Sequence, residues 1–365
     1  MTAQRIVIAM HDFFRGGTER VSLTFARLWT DMGRDVTILC GSTDGGLRDQ
    51  VDARVPVVVV DPPMHRGPLS RFRLGRLMGA ELARLRPDLV YLPGNFHMPL
   101  ARGMRRSGYE GLIVQKVSNP TLPAGIAGAF VKPFYRFYAQ SLDGFAAMNH
   151  GLAREAAALT PGKAVTMLRP PFDAVTAPVA PPQPRRDAWC ILWIGRLEPQ
   201  KDVGLALETL RALNAIHPAH LTLLGDGVER AQMERQITAL GLGDKVMHIA
   251  NVSDIARHYA DADALLVTSR YEGGPAVAVE ALAHGTPVVT TDCSYLVHEV
   301  LTVPQAGTVV ASRAPDVLAA ALAEVCGRAR PALETLRPLT TPFAPQISAR
   351  GFLDWFDELA RVRGS

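Results

Sequence analysis

The sequence lacks most of the features that would assign a class at a glance. Its 365 residues include only four cysteines, Cys40, Cys190, Cys293 and Cys326. They are widely scattered with no Cys-x-x-Cys pair, which argues against a disulfide framework or a zinc knuckle. Each sits in or near an apolar segment and reads as a core thiol in a reducing compartment. No apolar run approaches the ~18 residues a membrane span requires. The amino terminus has no signal-peptide anatomy, because Arg5 opens directly into the strand-like run 6–10. A soluble, cytoplasmic protein is therefore expected. Gly-x-Gly-x-x-Gly with its downstream acid is absent, and no Gly-Lys-Ser/Thr follows a glycine turn, which disfavours a nicotinamide-dependent oxidoreductase and a P-loop enzyme. No nucleic-acid module or strongly basic domain stands out.

What is present is ordinary globular material: 48% hydrophobic and 20% charged residues, on a chain long enough for two domains. The formal net charge of +4 hides an imbalance. Residues 1–180 hold 22 Lys/Arg against 14 Asp/Glu, a net of +8, and the remainder holds 17 against 21, a net of −4.

Short β-branched runs alternate with longer periodic stretches. Strands are predicted at 6–10, 36–40, 57–60, 89–92, 113–117, 145–148 and 165–168, with helices at 19–29, 71–85 and 133–140. Then comes a proline-dense stretch, with Pro170, Pro171, Pro178, Pro181, Pro182 and Pro184, too rich in proline for helix or interior strand. The alternation resumes with strands at 190–194, 221–224, 246–249, 264–268, 288–291 and 308–310. Helices fit 203–216, 229–240, 276–284 and 316–325, and an amphipathic helix closes the chain over 346–363. Strands buried on both faces, each followed by a helix, describe parallel doubly wound sheets. The fold class is thus α/β: a Rossmann-like domain at 1–173, a linker at 174–187 and a second such domain at 188–345. In such sheets ligands gather beyond the carboxyl ends of strands.

Three strand-to-helix turns carry chemistry. After the first strand come Gly16 and Gly17, where a backbone amide can approach an anion at a helix start; an ordinary tight turn explains them equally. After the first strand of the second half come Gly195, Arg196 and, further on, Lys201 and Asp202. Asp202 suits a helix N-cap. Arg196 and Lys201 suit a diphosphate, by a bidentate fork and a point charge, with solvated loop charges as the alternative. The third turn is the most specific: Glu272-Gly273-Gly274-Pro275, then 276–284 and Gly285. Pro275 is placed to open the helix and Gly285 to end it. Between them nearly every residue is small or apolar, so Glu280 would sit in a helix buried around most of its circumference. A carboxylate there needs partners, either ligand hydroxyls or a neighbouring cation. Glu272 and the amides of Gly274, Ala276 and Val277 are placed to converge on the same ligand.

Glu272 and Glu280 match the E-x7-E signature of the retaining GT-B glycosyltransferases of family 4, which the chain resembles over essentially its whole length. Gly16-Gly17-Thr18-Glu19-Arg20 resembles the amino-terminal element of that family. Gly195-Arg196-Leu197 through Lys201, Gly225-Asp226-Gly227, and the block from Glu272 to Val289 resemble its other elements. The resemblance implies two Rossmann-like domains facing each other across a cleft, with the last helix crossing back to the first domain. It implies transfer of a hexosyl-type sugar from a nucleotide-sugar, with retention and without an essential metal or cofactor. Arg196, Lys201 and Glu272 would be catalytic. Gly16, Gly17 and Gly195 would line the donor, Glu280 would take the ribose hydroxyls, and Glu272 with Gly273 and Gly274 would orient the sugar.

One departure stands out. Where many relatives carry a histidine at the end of a mid-domain strand, this chain has Ser118 and Asn119; His11 and His97 are candidate spatial substitutes, with incidental loop histidines as the commoner alternative. Arginines at 66, 71, 73, 76, 84 and 86 lie on or beside one helix, and a second cluster at 130–138 mixes cations with aromatics. An acceptor that is a glycan or a lipid-linked glycan, with peripheral contact to an anionic membrane, would fit them, as would solvated arginines over core aromatics. Synthesis of surface polysaccharide or lipopolysaccharide is the expected setting. The competing readings are a catalytically silent sugar-nucleotide-binding protein and a GT-B epimerase or phosphorylase.

Overall fold

The computed structural model describes residues 2–14, 16–122, 126–176, 187–250, 252 and 254–364. The chain forms two compact units, residues 1–171 with 345–365, and residues 172–344. Most of the expected linker, 177–186, lies outside the described residues.

The first unit runs β1 (Arg5–Met10), α1 (Gly17–Asp31), β2 (Asp35–Cys40), β3 (Val57–Val59), α2 (Ser70–Leu85), β4 (Leu89–Leu92), α3 (Met98–Arg106), β5 (Leu112–Val117), α4 (Ile126–Ala139), β6 (Gly144–Ala147), α5 (His150–Leu159) and β7 (Ala164–Met167). All seven strands are parallel, in the order β3-β2-β1-β4-β5-β6-β7. Alternation along β1 divides its side chains between two cores. Ile6, Ile8 and Met10 face Phe25 and Trp29 of α1, while Val7 and Ala9 face Leu74 and Met78 of α2.

The second unit runs β8 (Trp189–Ile194), α6 (Val203–Leu213), β9 (Ala219–Leu224), α7 (Arg230–Ala239), β10 (Val246–Ile249), α8 (Ile255–Asp261), β11 (Ala264–Val267), α9 (Ala276–Ala283), β12 (Val288–Thr291), α10 (Tyr295–Val300), β13 (Gly307–Val310), α11 (Pro315–Gly327) and α12 (Leu333–Thr340). Its six parallel strands are ordered β10-β9-β8-β11-β12-β13. Both units are therefore Rossmann-like, and strand order reverses beside β1 in one sheet and beside β8 in the other. Those reversals open the crevices that parallel sheets use for ligands.

The chain ends in α13 (Pro345–Gly364), which packs in the first unit against α1. Phe352 lies 4.6 Å from Phe25 and Phe356 lies 5.3 Å edge-on to Trp29. Trp29 Nε1 donates to the Ala349 carbonyl at 3.2 Å, and Arg34 pairs with Asp357 at 2.7 Å. Each fully buried phenylalanine there contributes about 2 kcal/mol of transfer free energy.

Two helical expectations need correction. The helix predicted to open at Pro133 starts at Ile126 and carries Pro133 in its interior. Pro133 is exposed there, so the carbonyl its ring leaves without a helical donor is on the side that faces water. Pro275 is the N-cap of α9 rather than its first residue, because its ψ of 102° is extended. Helices α3, α5, α8, α10 and α12 were not anticipated. They run from six to ten residues. Cys40, Cys293 and Cys326 are buried and Cys190 is half-buried, all as free thiols.

Candidate functional site

The pairing of β8 with β11 places two distant loops side by side. The register Ala264↔Ile191 and Leu265↔Leu192 sets residues 195–202, which follow β8, against residues 268–275, which follow β11. Gly225, at φ +129°, lets this end close tightly: a Cβ there would come within 2.0 Å of the Gly195 carbonyl oxygen.

Lys201 meets Glu272 at the centre, its ammonium donating to Oε1, and Ser269 Oγ donates to the same oxygen at 2.8 Å. Both charged side chains are largely shielded, so the pair is stronger than a surface bridge. Gly195 lies under the Lys201 stem, 3.3 Å from its Cγ and Cδ if it bore a Cβ. Lys201 is held from below by Thr268, which is fully buried. The Thr268 hydroxyl accepts from Trp193 Nε1 at 3.0 Å and lies 2.9 Å from the carbonyls of both Lys201 and Asp202. Asp202 caps α6 from a left-handed conformation, φ +51°. Its carboxylate is clamped by Arg313 at 2.7 Å and Arg270 at 2.8 Å, and Arg313 also binds the carbonyls of Thr268 and Ser269.

Glu272 is tied to the next strand by its backbone, N–H to the Cys293 carbonyl at 2.7 Å. Beyond it, Gly273 and Gly274 lead into the first-turn amides of Ala276 and Val277. They form the electropositive end of a helix that follows directly from the loop carrying Glu272. Further along α9, Glu280 Oε2 accepts from Tyr259 at 2.7 Å. Burial pushes the Tyr259 hydroxyl well above its usual pKa, and the Glu280 charge adds to this, so the phenol remains a donor. Tyr259 stacks on His284 at 5.4 Å, whose own pKa is lowered by burial. The helix is buried around most of its circumference, with Ala276, Val277 and Glu280 half-buried on the remaining face. A carboxylate on that face needs no fully buried counter-charge. Arg196 lies on the loop after β8. It is mostly exposed and pairs with Glu198 at 2.6 Å, while Lys201 engages Glu272.

In the first unit, Gly16 is the N-cap of α1 and Gly17 its first residue. The Glu19 side chain folds over Gly16 so closely that a Cβ there would strike its Oε2 at 2.4 Å, whereas a Cβ on Gly17 would meet nothing within 4 Å. His11 is buried in a polar network rather than poised on its own. Its Nε2 shares a 2.7 Å hydrogen bond with Ser70, and Asp12 beside it accepts from Arg66 at 2.6 and 2.8 Å. Burial raises the Asp12 pKa, but hydrogen bonds from His11 and Arg66 outweigh it and hold the group at about 2. His97 is buried without a hydrogen-bond partner for its side chain, and desolvation lowers it to about 3. At the end of β5, Ser118 is half-buried with its hydroxyl unpartnered, Asn119 is exposed, and Asn95 ties both through their backbones. The structure does not bring His97 or His11 into hydrogen bonding with either.

Several participants escaped the sequence reading. Lys116 is buried on β5, where desolvation lowers its pKa to about 8 against the opposing pull of Glu19. The Gln-Lys pair inside an otherwise apolar strand was a legible signal for it. Tyr259 and Arg313 had none, since they reach the site from α8 and from the loop after β13, and nothing local marks Thr268 as the support of Lys201.

Residues 180–329 match the family described as glycosyl transferases group 1, and residues 16–171 match the glycosyl transferase 4-like domain. A glycogen synthase of Mycobacterium tuberculosis is 34% identical over 173 residues, 45% of this chain and 41% of that protein. A D-inositol 3-phosphate glycosyltransferase of Geodermatophilus obscurus is 33% identical over 154 residues, 39% of this chain and 34% of its own length. The chain thus matches less than half the length of these curated relatives. Among solved structures, the lipopolysaccharide outer core galactosyltransferase WaaB superposes with a TM-score of 0.75 at 17% identity, over 99% of this chain and 100% of that one. Anabaena HepE, solved in complex with UDP, gives 0.72 at 18% identity, over 98% and 99% of the two chains. These likenesses make the fold GT-B.

Proposed function

The chain belongs to the GT-B glycosyltransferases through both of its domains, and from that premise we propose a retaining transfer of a hexosyl-type sugar. The donor is a nucleotide-sugar and the acceptor a glycan or lipid-linked glycan, as in surface polysaccharide or lipopolysaccharide synthesis. The observation that carries this reading is the cluster of Lys201, Glu272 and Ser269 at the start of α9, with Glu280 on the half-buried face of the same helix.

In the transfer, the bond between the anomeric carbon and the diphosphate oxygen breaks, and one to an acceptor oxygen forms. Negative charge builds on the leaving diphosphate. A cation in a shielded site stabilises that charge more than one in water. Lys201 is such a cation, and Arg196 is free to swing from Glu198 to a second phosphate oxygen. When the diphosphate takes Lys201, Glu272 is released to accept hydroxyls of the sugar, supported by the amides of Gly273 and Gly274. Glu280, steadied by Tyr259, accepts the ribose hydroxyls, and the Ala276 and Val277 amides face the phosphates. The proposed catalysis is electrostatic and positional, with no covalent intermediate and no resident metal. Ser118 and Asn119 on the first unit are assigned to the acceptor side.

A solved relative holds UDP, and the same protein is described with UDP-glucose, so uridine diphosphate hexoses are the first donors to test. The full chain is incubated with them and with soluble and lipid-linked glycans, and the glycoside is followed by NMR. The expected product has the donor's anomeric configuration and forms equally in EDTA. An inverted product rejects retention. Donor binding without transfer across the panel leaves the silent binder, and conversion of the donor alone leaves the epimerase.

A further inference from the structure

Away from the sheet crevices, the first unit carries a cationic groove on its helical side. Helices α2 and α3 approach backbone to backbone: a Cβ on Gly103 would lie 2.7 Å from the Arg76 nitrogen, and one on Gly75 would lie 2.3 Å from the Leu100 carbonyl oxygen. That closeness gathers Arg76, Arg102 and Arg106 around a groove of about 310 Å3, walled by Phe72, Phe137 and Tyr138. No carboxylate pairs with these three arginines among the described residues. The Arg102 guanidinium lies 3.8 Å over the Phe137 ring, and its buried Nε has no hydrogen-bond partner. Three like charges around one groove repel each other, and an anion seated there would relieve them.

The rim of the groove is apolar and exposed. On α4, Phe130, Phe134 and Phe137 recur at helical spacing, exposed by 81%, 44% and 44%, while Tyr135 on the opposite face is buried. Lys132 and Arg136 fall on other faces of the same helix. Phe134 packs edge-on to Phe72 at 6.3 Å, so the aromatic stripe and the groove form one continuous surface. A dissolved anion would account for the arginines but not for the phenylalanines left in water. A surface offering phosphates next to an apolar layer accounts for both.

We propose that this face of the first unit binds an anionic bilayer, with a lipid phosphate seated among Arg76, Arg102 and Arg106 and the Phe130 stripe entering the interface. None of these residues belongs to the proposed donor site, so the two readings succeed or fail separately.

The test is cosedimentation of the full chain with phosphatidylcholine vesicles, with or without phosphatidylglycerol. Binding to the anionic vesicles alone, weakened by salt, is expected. Arg76→Ala/Arg106→Ala removes two exposed charges and should weaken binding about thirtyfold. Phe130→Ser should weaken it severalfold, and a second truncation, Phe134→Ser, should add to the loss. Unchanged melting temperatures and nucleotide-induced thermal shifts show that these variants are folded. Equal binding to both vesicle types, or wild-type binding by the double variant, overturns the proposal. So does complete displacement by millimolar inorganic phosphate together with no effect of Phe130→Ser, which would assign the groove to a soluble anion.

Discussion

The two units solve the same problem differently. Each is a parallel sheet with internal ion pairs, but the polar cluster of the second is closed by its own partners, whereas the first also carries cations that no carboxylate meets among the described residues. In the second, Lys201 meets Glu272, Asp202 meets both Arg313 and Arg270, and Glu280 meets Tyr259. In the first, Arg66 pairs with both Asp12 and Glu19, but Lys116 is buried and the groove arginines stand together. The division into units sharpens the charge imbalance. The first holds 25 Lys/Arg against 16 Asp/Glu, a net of +9, and the second 14 against 19, a net of −5. Paired charges in a shielded cluster are preorganised and wait for a ligand that exchanges partners. Unpaired cations carry a standing electrostatic cost that an anionic partner removes.

The largest test of this contrast is to break the central pair. Lys201→Ala is expected to slow sugar transfer by about a hundredfold, the scale seen when one stabiliser of developing charge is removed. Glu280→Ala should act mainly on donor affinity, visible as a lost thermal shift with nucleotide. Unchanged nucleotide binding in both variants would remove the cluster from the site.

The next test is on the other unit. Lys116→Met removes a buried cation while keeping the side chain's length, and should stabilise the protein by about 2 kcal/mol at neutral pH. The sign of the pH dependence follows from the direction of the shift. The folded pKa of about 8 lies below the unfolded value of 10.5, so between them the unfolded chain binds more protons. The lysine's penalty is therefore full below about 8 and fades as pH rises towards 10.5. The difference in stability between variant and wild type should shrink over that interval. A pH-independent difference would mean that the ammonium has a partner after all.

The smallest effect separates backbone from charge at Asp202. Both Asp202→Gly and Asp202→Ala lose the arginine clamp and the cap. Only alanine must also adopt φ near +51°, so it should be the less stable by about 1 kcal/mol in denaturant titrations. Equal stabilities would show that the left-handed turn is not retained in the variants.

Much of this was legible before any coordinates. The strands announced themselves as short β-branched runs because parallel strands buried on both faces leave no room for polar residues. Long helices such as α2 show several turns of apolar periodicity, and shorter ones such as α3 and α5 offer fewer. The loop before α9 was legible because a glycine pair, a proline and two glutamates are a dense local pattern. The state of those glutamates was not. Arg196 leans on Glu198, and the face of α9 that carries Glu280 is half-buried.

The sequence by itself determined the alternation of strand and helix, the position of each glycine turn and the two carboxylates, because these depend on residues adjacent along the chain. Only the tertiary structure decided who meets whom. Lys201 reaches Glu272 because β8 pairs with β11, Arg313 reaches Asp202 from beyond β13, and three arginines share a groove because Gly75 and Gly103 let two helices touch. Those contacts are set by strand order and by the absence of side chains at crossing points, which no local pattern encodes.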